Sequence, residues 1–149
     1  MDDFKRFCKV QLERDEGRKK DLYYDSLNIP SIGIGRNLKR GLSNDEIDYL
    51  FDNDYRYHLK EMLDAFPWTE HLDDPRKGAL LNMVFNMGVP RVRGFKNMLA
   101  AFEEGRWADA ASHARNSVWY SQVGARGPRV VKQIETGEWQ LDGTNLSHQ

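Results

Sequence analysis

The sequence predicts an α+β fold, mostly α, in which a small β-hairpin lobe and a larger helical lobe are joined by a long helix. Three observations predict it. Apolar residues recur at helical spacing over most of the 149 residues; the stretch Leu22 to Gly35 instead reads strand, turn, strand; and a capped apolar run from Ser43 to Phe66 is long enough to join two lobes. With 40% hydrophobic and 11% aromatic residues the chain can bury one sizeable core. A single domain over residues 1–149 is therefore expected, with the hairpin lobe at about 17–42 and a helical lobe at about 67–140 that takes in the N-terminal helix.

In chain order, Phe4, Phe7, Cys8 and Leu12 define the apolar face of a first helix, and Gly17 stops it just after Glu16. Leu22-Tyr23-Tyr24-Asp25 and Ser31-Ile32-Gly33-Ile34-Gly35 form the two strands, turning at Asn28-Ile29-Pro30. Ser43-Asn44-Asp45-Glu46 is a capping box opening the long helix, whose apolar positions run from Ile47 to Phe66 and stop at Pro67. Asp74-Pro75 supplies an N-cap and first turn for a helix carrying Leu80, Met83, Val84 and Met87 and ending at Gly88. Shorter helices follow around Phe95–Phe102 and Trp107–Ala114, and a last one opens at Pro128 and closes near Gly137. Trp107, Trp119 and Trp139 are expected in the core, and the polar tail from Gln140 to Gln149 is expected to fray.

Composition narrows the function. No apolar run approaches the ~18 residues of a spanning helix, and Met1-Asp2-Asp3-Phe4 lacks the basic-then-apolar order of a secretory signal. Synthesis in a cytoplasm is expected. Cys8, the single cysteine, excludes an internal disulfide and is expected as a buried structural thiol. His58, His71, His113 and His148 are scattered and form no metal-ligand set. Gly33-Ile34-Gly35 does not open a dinucleotide fingerprint, since position 38 is Leu and no βαβ unit surrounds it. Residues 1–74 hold 12 Lys and Arg against 17 Asp and Glu, a net of −5, and residues 75–149 hold 10 against 6, a net of +4. The basic residues are neither dense nor interleaved with exposed aromatics, which argues against nucleic-acid binding.

Glu16, Asp25 and Ser31 place two carboxylates and a hydroxyl around the hairpin. Splitting a glycosidic bond needs one protonated carboxyl and one ionised carboxylate, and these residues suit those roles if the hairpin folds back across the helix end. With these spacings, the sequence resembles the phage-type lysozymes, glycoside hydrolase family 24. Their hallmark is a Glu, an Asp nine positions on and a Thr six beyond that, leading into Gly-Ile-Gly. The likeness resumes in Leu81-Asn82-Met83-Val84-Phe85-Asn86-Met87-Gly88, Gly94-Phe95, Arg106-Trp107, Trp119-Tyr120 and Thr136-Gly137-Glu138-Trp139, in colinear order. Three features depart from the T-even members: Ser31 replaces the Thr, Arg36 replaces a His, and only six residues separate Gly35 from Leu42 where those members carry a longer insertion.

The resemblance implies a lysozyme-like fold and an inverting muramidase that cleaves the β-1,4 bond between N-acetylmuramic acid and N-acetylglucosamine in bacterial peptidoglycan. It implies Glu16 as general acid, Asp25 and Ser31 as holders of the attacking water, Arg126 and Phe85 as cleft residues, and Asn37, Met98 and His113 at sugar-contacting positions. No cofactor is implied. The biology it implies is that of a monomeric endolysin made in the host cytoplasm, which reaches peptidoglycan in the periplasm through a holin or its equivalent. A lytic transglycosylase and a catalytically inactive wall-binding virion component are the alternatives.

Overall fold

The computed structural model describes residues 2–144. They form the expected mostly helical α+β fold, with eight helices and one small antiparallel sheet. The chain divides into two compact units, Met1–Phe51 and Asp52–Gln149.

In the first unit, helix α1 (Asp3–Glu16) is capped by the Asp2 carboxylate, which accepts from Lys5 N at 2.8 Å. It stops at Gly17, whose φ of +82° is open to glycine and strained for other residues. The sheet has three strands, in the order β1 (Lys19–Tyr24), β2 (Pro30–Gly33), β3 (Arg36–Asn37). Tyr23 lies opposite Ser31, which lies opposite Asn37 on the other side, so Ser31 sits on the central strand. The second strand is shorter than the sequence suggests. It ends at Gly33 because Gly33 (φ +68°) and Gly35 (φ +63°) take left-handed conformations, and Ile34-Gly35 becomes a tight turn into a third strand that the sequence reading lacked. The first strand begins earlier, at Lys19, and ends at Tyr24, leaving Asp25 in the turn.

A 3₁₀ turn (Leu38–Arg40), capped by Asn37 Oδ1 accepting from Lys39 N at 2.9 Å, leads to helix α2 (Asn44–Ala65). The capping box forms in both directions: Ser43 Oγ accepts from Glu46 N at 3.2 Å, and Glu46 Oε1 accepts from Ser43 N at 2.9 Å. Helix α1 buries none of its residues and Cys8 is only half-buried, which corrects the expected buried thiol.

In the second unit, helix α3 (Asp74–Met87) is capped by Asp73, one residue before the expected Asp74. Asp73 accepts from Arg76 N at 3.2 Å, and Pro75 then occupies the first turn, where its missing N–H costs nothing. Helices α4 (Val89–Val92), α5 (Lys96–Glu103), α6 (Trp107–Arg115), α7 (Val118–Gln122) and α8 (Arg126–Thr136) follow. Helices α4 and α7 are too short to show a period in the sequence. Helix α8 starts two residues before Pro128 and ends at Gly137, which adopts the left-handed cap at φ +70°.

Leu80, Met83 and Val84 of α3 interleave with Met98 and Phe102 of α5, Ala110 and Ala114 of α6, and Ile134 of α8 in one buried core, which Met62 of α2 joins. Arg76 and Gln133 bind α3 to α8. Arg76 donates to the carbonyls of Ile134 at 2.7 Å and Glu135 at 2.9 Å while its guanidinium lies 4.2 Å over the Trp107 ring; Gln133 Nε2 donates to the Pro75 carbonyl at 2.7 Å. Trp119 is buried and Trp107 packs at the edge of the core, edge-on to Phe102. Trp139 does not join them. It remains 52% exposed, with its ring against α3 at Gly78, where a Cβ would stand 2.6 Å from it. Of the tail expected to fray, Gln140 is tied back by its N–H to Gln133 Oε1 at 3.2 Å, and residues 145–149, with His148, lie outside the described residues.

Candidate active site

Glu16 is the last residue of α1, and its carboxylate rests against the β2–β3 turn: a Cβ placed on Gly35 would stand 3.0 Å from Oε2 and 3.1 Å from Cδ. The sheet thus folds back across the helix end. The cations beside it in sequence are engaged elsewhere, Arg14 with Asp15 at 2.8 Å and Arg18 with Glu13 at 3.6 Å.

Asp25 organises the first turn of the sheet. Its Oδ1 accepts from both Leu27 N and Ile29 N at 2.9 Å, its backbone N–H donates to the Ile29 carbonyl at 3.0 Å, and its carbonyl accepts from Asn28 N at 2.9 Å. Asn28 there takes φ +60°, which Asn tolerates better than other side chains. One carboxylate oxygen is therefore fixed by the turn. Among the described residues Oδ2 has no donor.

Ser31, at 3% exposure, is the one buried residue of the first unit among the described residues. Its hydroxyl donates to the Ile29 carbonyl at 3.1 Å, the same oxygen that accepts from Asp25 N. The proton is committed to the turn that holds Asp25, so the hydroxyl has only lone pairs to offer water. Asn37 lies opposite Ser31 in the β2–β3 ladder, and its Oδ1 is taken up by the 3₁₀ turn.

Arg36, where the sequence departs from its resembling family, ion-pairs with Glu46 Oε2 and donates to the Gly41 carbonyl at 3.3 Å. The Arg36 guanidinium, with the Ser43 N–H, pulls the Glu46 carboxyl down to about 2.

The remaining predicted residues belong to the second unit. Phe85 on α3 is 39% exposed, as its place off the apolar face predicts, and its ring lies 4.6 Å from that of His58. Met98 is buried at 1% exposure yet lines, with exposed His113, a shallow hollow of about 380 Å³ that also takes in Arg91, Lys96 and Asn116. Arg126 is exposed at the first residue of α8. The sequence reading missed His58 as a neighbour of Phe85, since residues on two helices show no joint spacing. It also missed Gly35, whose signal, the second Gly of Gly-Ile-Gly, was read as strand.

Residues 13–135 match the family model described as phage lysozyme. The chain is 32% identical over 160 residues to a probable T4-type lysozyme 1 of Dictyostelium discoideum, covering 87% of this chain and 94% of that protein. It is 31% identical over 159 residues to a probable T4-type lysozyme 2 of the same organism, with the same coverage. It is also 29% identical to the pre-baseplate central spike protein of Enterobacteria phage T4, over 91% of this chain but only 28% of that protein.

Proposed function

Because this chain belongs to the phage lysozyme family, we propose that it hydrolyses the β-1,4 bond between N-acetylmuramic acid and N-acetylglucosamine in bacterial peptidoglycan. Glu16 donates its proton to the glycosidic oxygen as that bond breaks. A water on the opposite face of the sugar gives a proton to Asp25 Oδ2 as its oxygen bonds to the anomeric carbon, and the configuration inverts. Ser31 acts mainly through the turn, holding the Ile29 carbonyl and with it Asp25. The observation that carries the reading is the division of labour within Asp25, with Oδ1 locked by two amides and Oδ2 free to take a water proton.

Phe85, Met98, His113, Asn37 and Arg126 are sugar-contacting residues in this reading. The enzyme acts as a monomer, made in a host cytoplasm and released to the periplasm by a holin-type partner. The likeness to a central spike protein favours a second reading, a lysozyme module working within a virion.

Lysis of permeabilised Gram-negative cells, followed as loss of turbidity, tests the activity. Glu16→Gln should fold normally and lose on the order of 10²–10⁴-fold, because Gln has no proton to give. Substantial lysis by the folded variant removes Glu16 from this role. Muropeptides from the wild-type digest should carry free reducing muramic acid, whereas 1,6-anhydro ends would mark a transglycosylase. The first anomer seen by NMR should be α.

A further inference from the structure

Glu16 stands at an exposed helix end, where a long side chain has several rotamers and no cation of its own segment to choose among them. What it does have is a bare Cα beneath it. A Cβ on Gly35 would come within 3.0 Å of Oε2, 3.1 Å of Cδ and 3.2 Å of Cγ, so the end of the glutamate fills the space a side chain at 35 would need. Gly33, two residues earlier, shares the left-handed backbone (φ +68° against +63°), yet nothing lies within 4 Å of where its Cβ would be. Both glycines are required by the backbone, and only one is in contact with the carboxylate.

We propose that Gly35 is a positioning residue for the general acid: the absent side chain makes a seat in the β2–β3 turn that selects the Glu16 rotamer aimed at the glycosidic oxygen. This rests on Glu16 being the acid. A misplacement of about 1 Å at a reacting group costs on the order of 10²-fold; a methyl at Gly35 shifts the carboxylate by a few tenths of an ångström and so costs a part of that.

The matched pair Gly35→Ala and Gly33→Ala tests this, since both bear the left-handed strain and only the first meets Glu16. Both should lose similar thermal stability. Gly35→Ala should lower kcat on peptidoglycan by about 10-fold with KM little changed, and Gly33→Ala by less than about two-fold. Glu16→Asp, whose carboxylate is too short to reach the seat, should lower activity in the wild type but add little further loss in Gly35→Ala. Should Gly35→Ala fold poorly, Gly35→Asn brings the same Cβ on a residue more at ease at positive φ. A second readout needs no turnover. In protein with 13C-labelled glutamate carboxyls, the Glu16 resonance should move in Gly35→Ala and stay in place in Gly33→Ala, even if the wild type proves inert on peptidoglycan. Equal kcat losses in the two glycine variants, or an unmoved Glu16 resonance in Gly35→Ala, overturn the proposal.

Discussion

Replacing Ser31 with Ala removes a donor from the Ile29 carbonyl, and the same carbonyl is what Asp25 N–H grips. The lost hydrogen bond should cost about 0.5–1.5 kcal/mol, and Asp25 should lose some of its aim, so thermal midpoint and lysis rate fall together in one preparation. An unchanged lysis rate per folded molecule, with only the midpoint lowered, would confine Ser31 to the turn. Ser31→Thr keeps the hydroxyl on a strand position that suits a β-branched residue, and should preserve both quantities. The spacing of Glu16, Asp25 and Ser31 was legible in the sequence because it reflects chain order. What the hydroxyl does was not, since its partner is a carbonyl, and a carbonyl looks the same at every position.

The start of α2 shows how far an element can be read in advance. Ser43 and Glu46 stand three apart, and their reciprocal bonds follow from helix geometry alone. The third party, Arg36, arrives through the tight turn and the 3₁₀ turn, which two-residue and three-residue elements do not announce. Ionised Glu46 is favoured in the folded state, with its carboxyl lowered from 4.5 to about 2. Its contribution is therefore complete above pH 4.5 and disappears as pH falls toward 2. Thermal midpoints of wild type and Glu46→Gln should converge over that window; a gap that stays constant from pH 5 to pH 2 contradicts the assignment. Helix α3 carries a second element-scale prediction. Gly78→Ala, which in an open helix gains roughly 0.5–1 kcal/mol, should instead destabilise by about 1–3 kcal/mol, because the new Cβ would lie 2.6 Å from the Trp139 ring. In a Trp139→Ala background the sign should reverse, and thermal unfolding of the four proteins measures it.

At the scale of the molecule, the buried hydrophobic side chains among the described residues all fall between Met62 and Ile134. Native-state hydrogen exchange should accordingly show the slowest amides in α3, α5, α6 and α8, and faster exchange in the sheet. Leu80→Ala, at a fully buried position, should cost about 2–5 kcal/mol. The core was legible wherever a helix ran long enough to show a period, and Trp139 was misjudged because its neighbour is a glycine 61 positions away. The charge asymmetry of the two halves does not survive the real boundary. Residues 1–51 carry ten charges of each sign, and residues 52–149 carry 12 positive against 13 negative, since the acidic stretch up to Asp74 belongs to the helical unit. The grip of Arg76 and Gln133 on opposite ends of that unit also bears on how the protein is born. Each lies 58 or 59 residues from its partners, and α8 supplies Val130, Val131 and Ile134 to the core. On a translating ribosome α3 therefore emerges long before the helix that completes it, and nascent chains arrested before Arg126 clears the exit tunnel should remain sensitive to protease across residues 74–115.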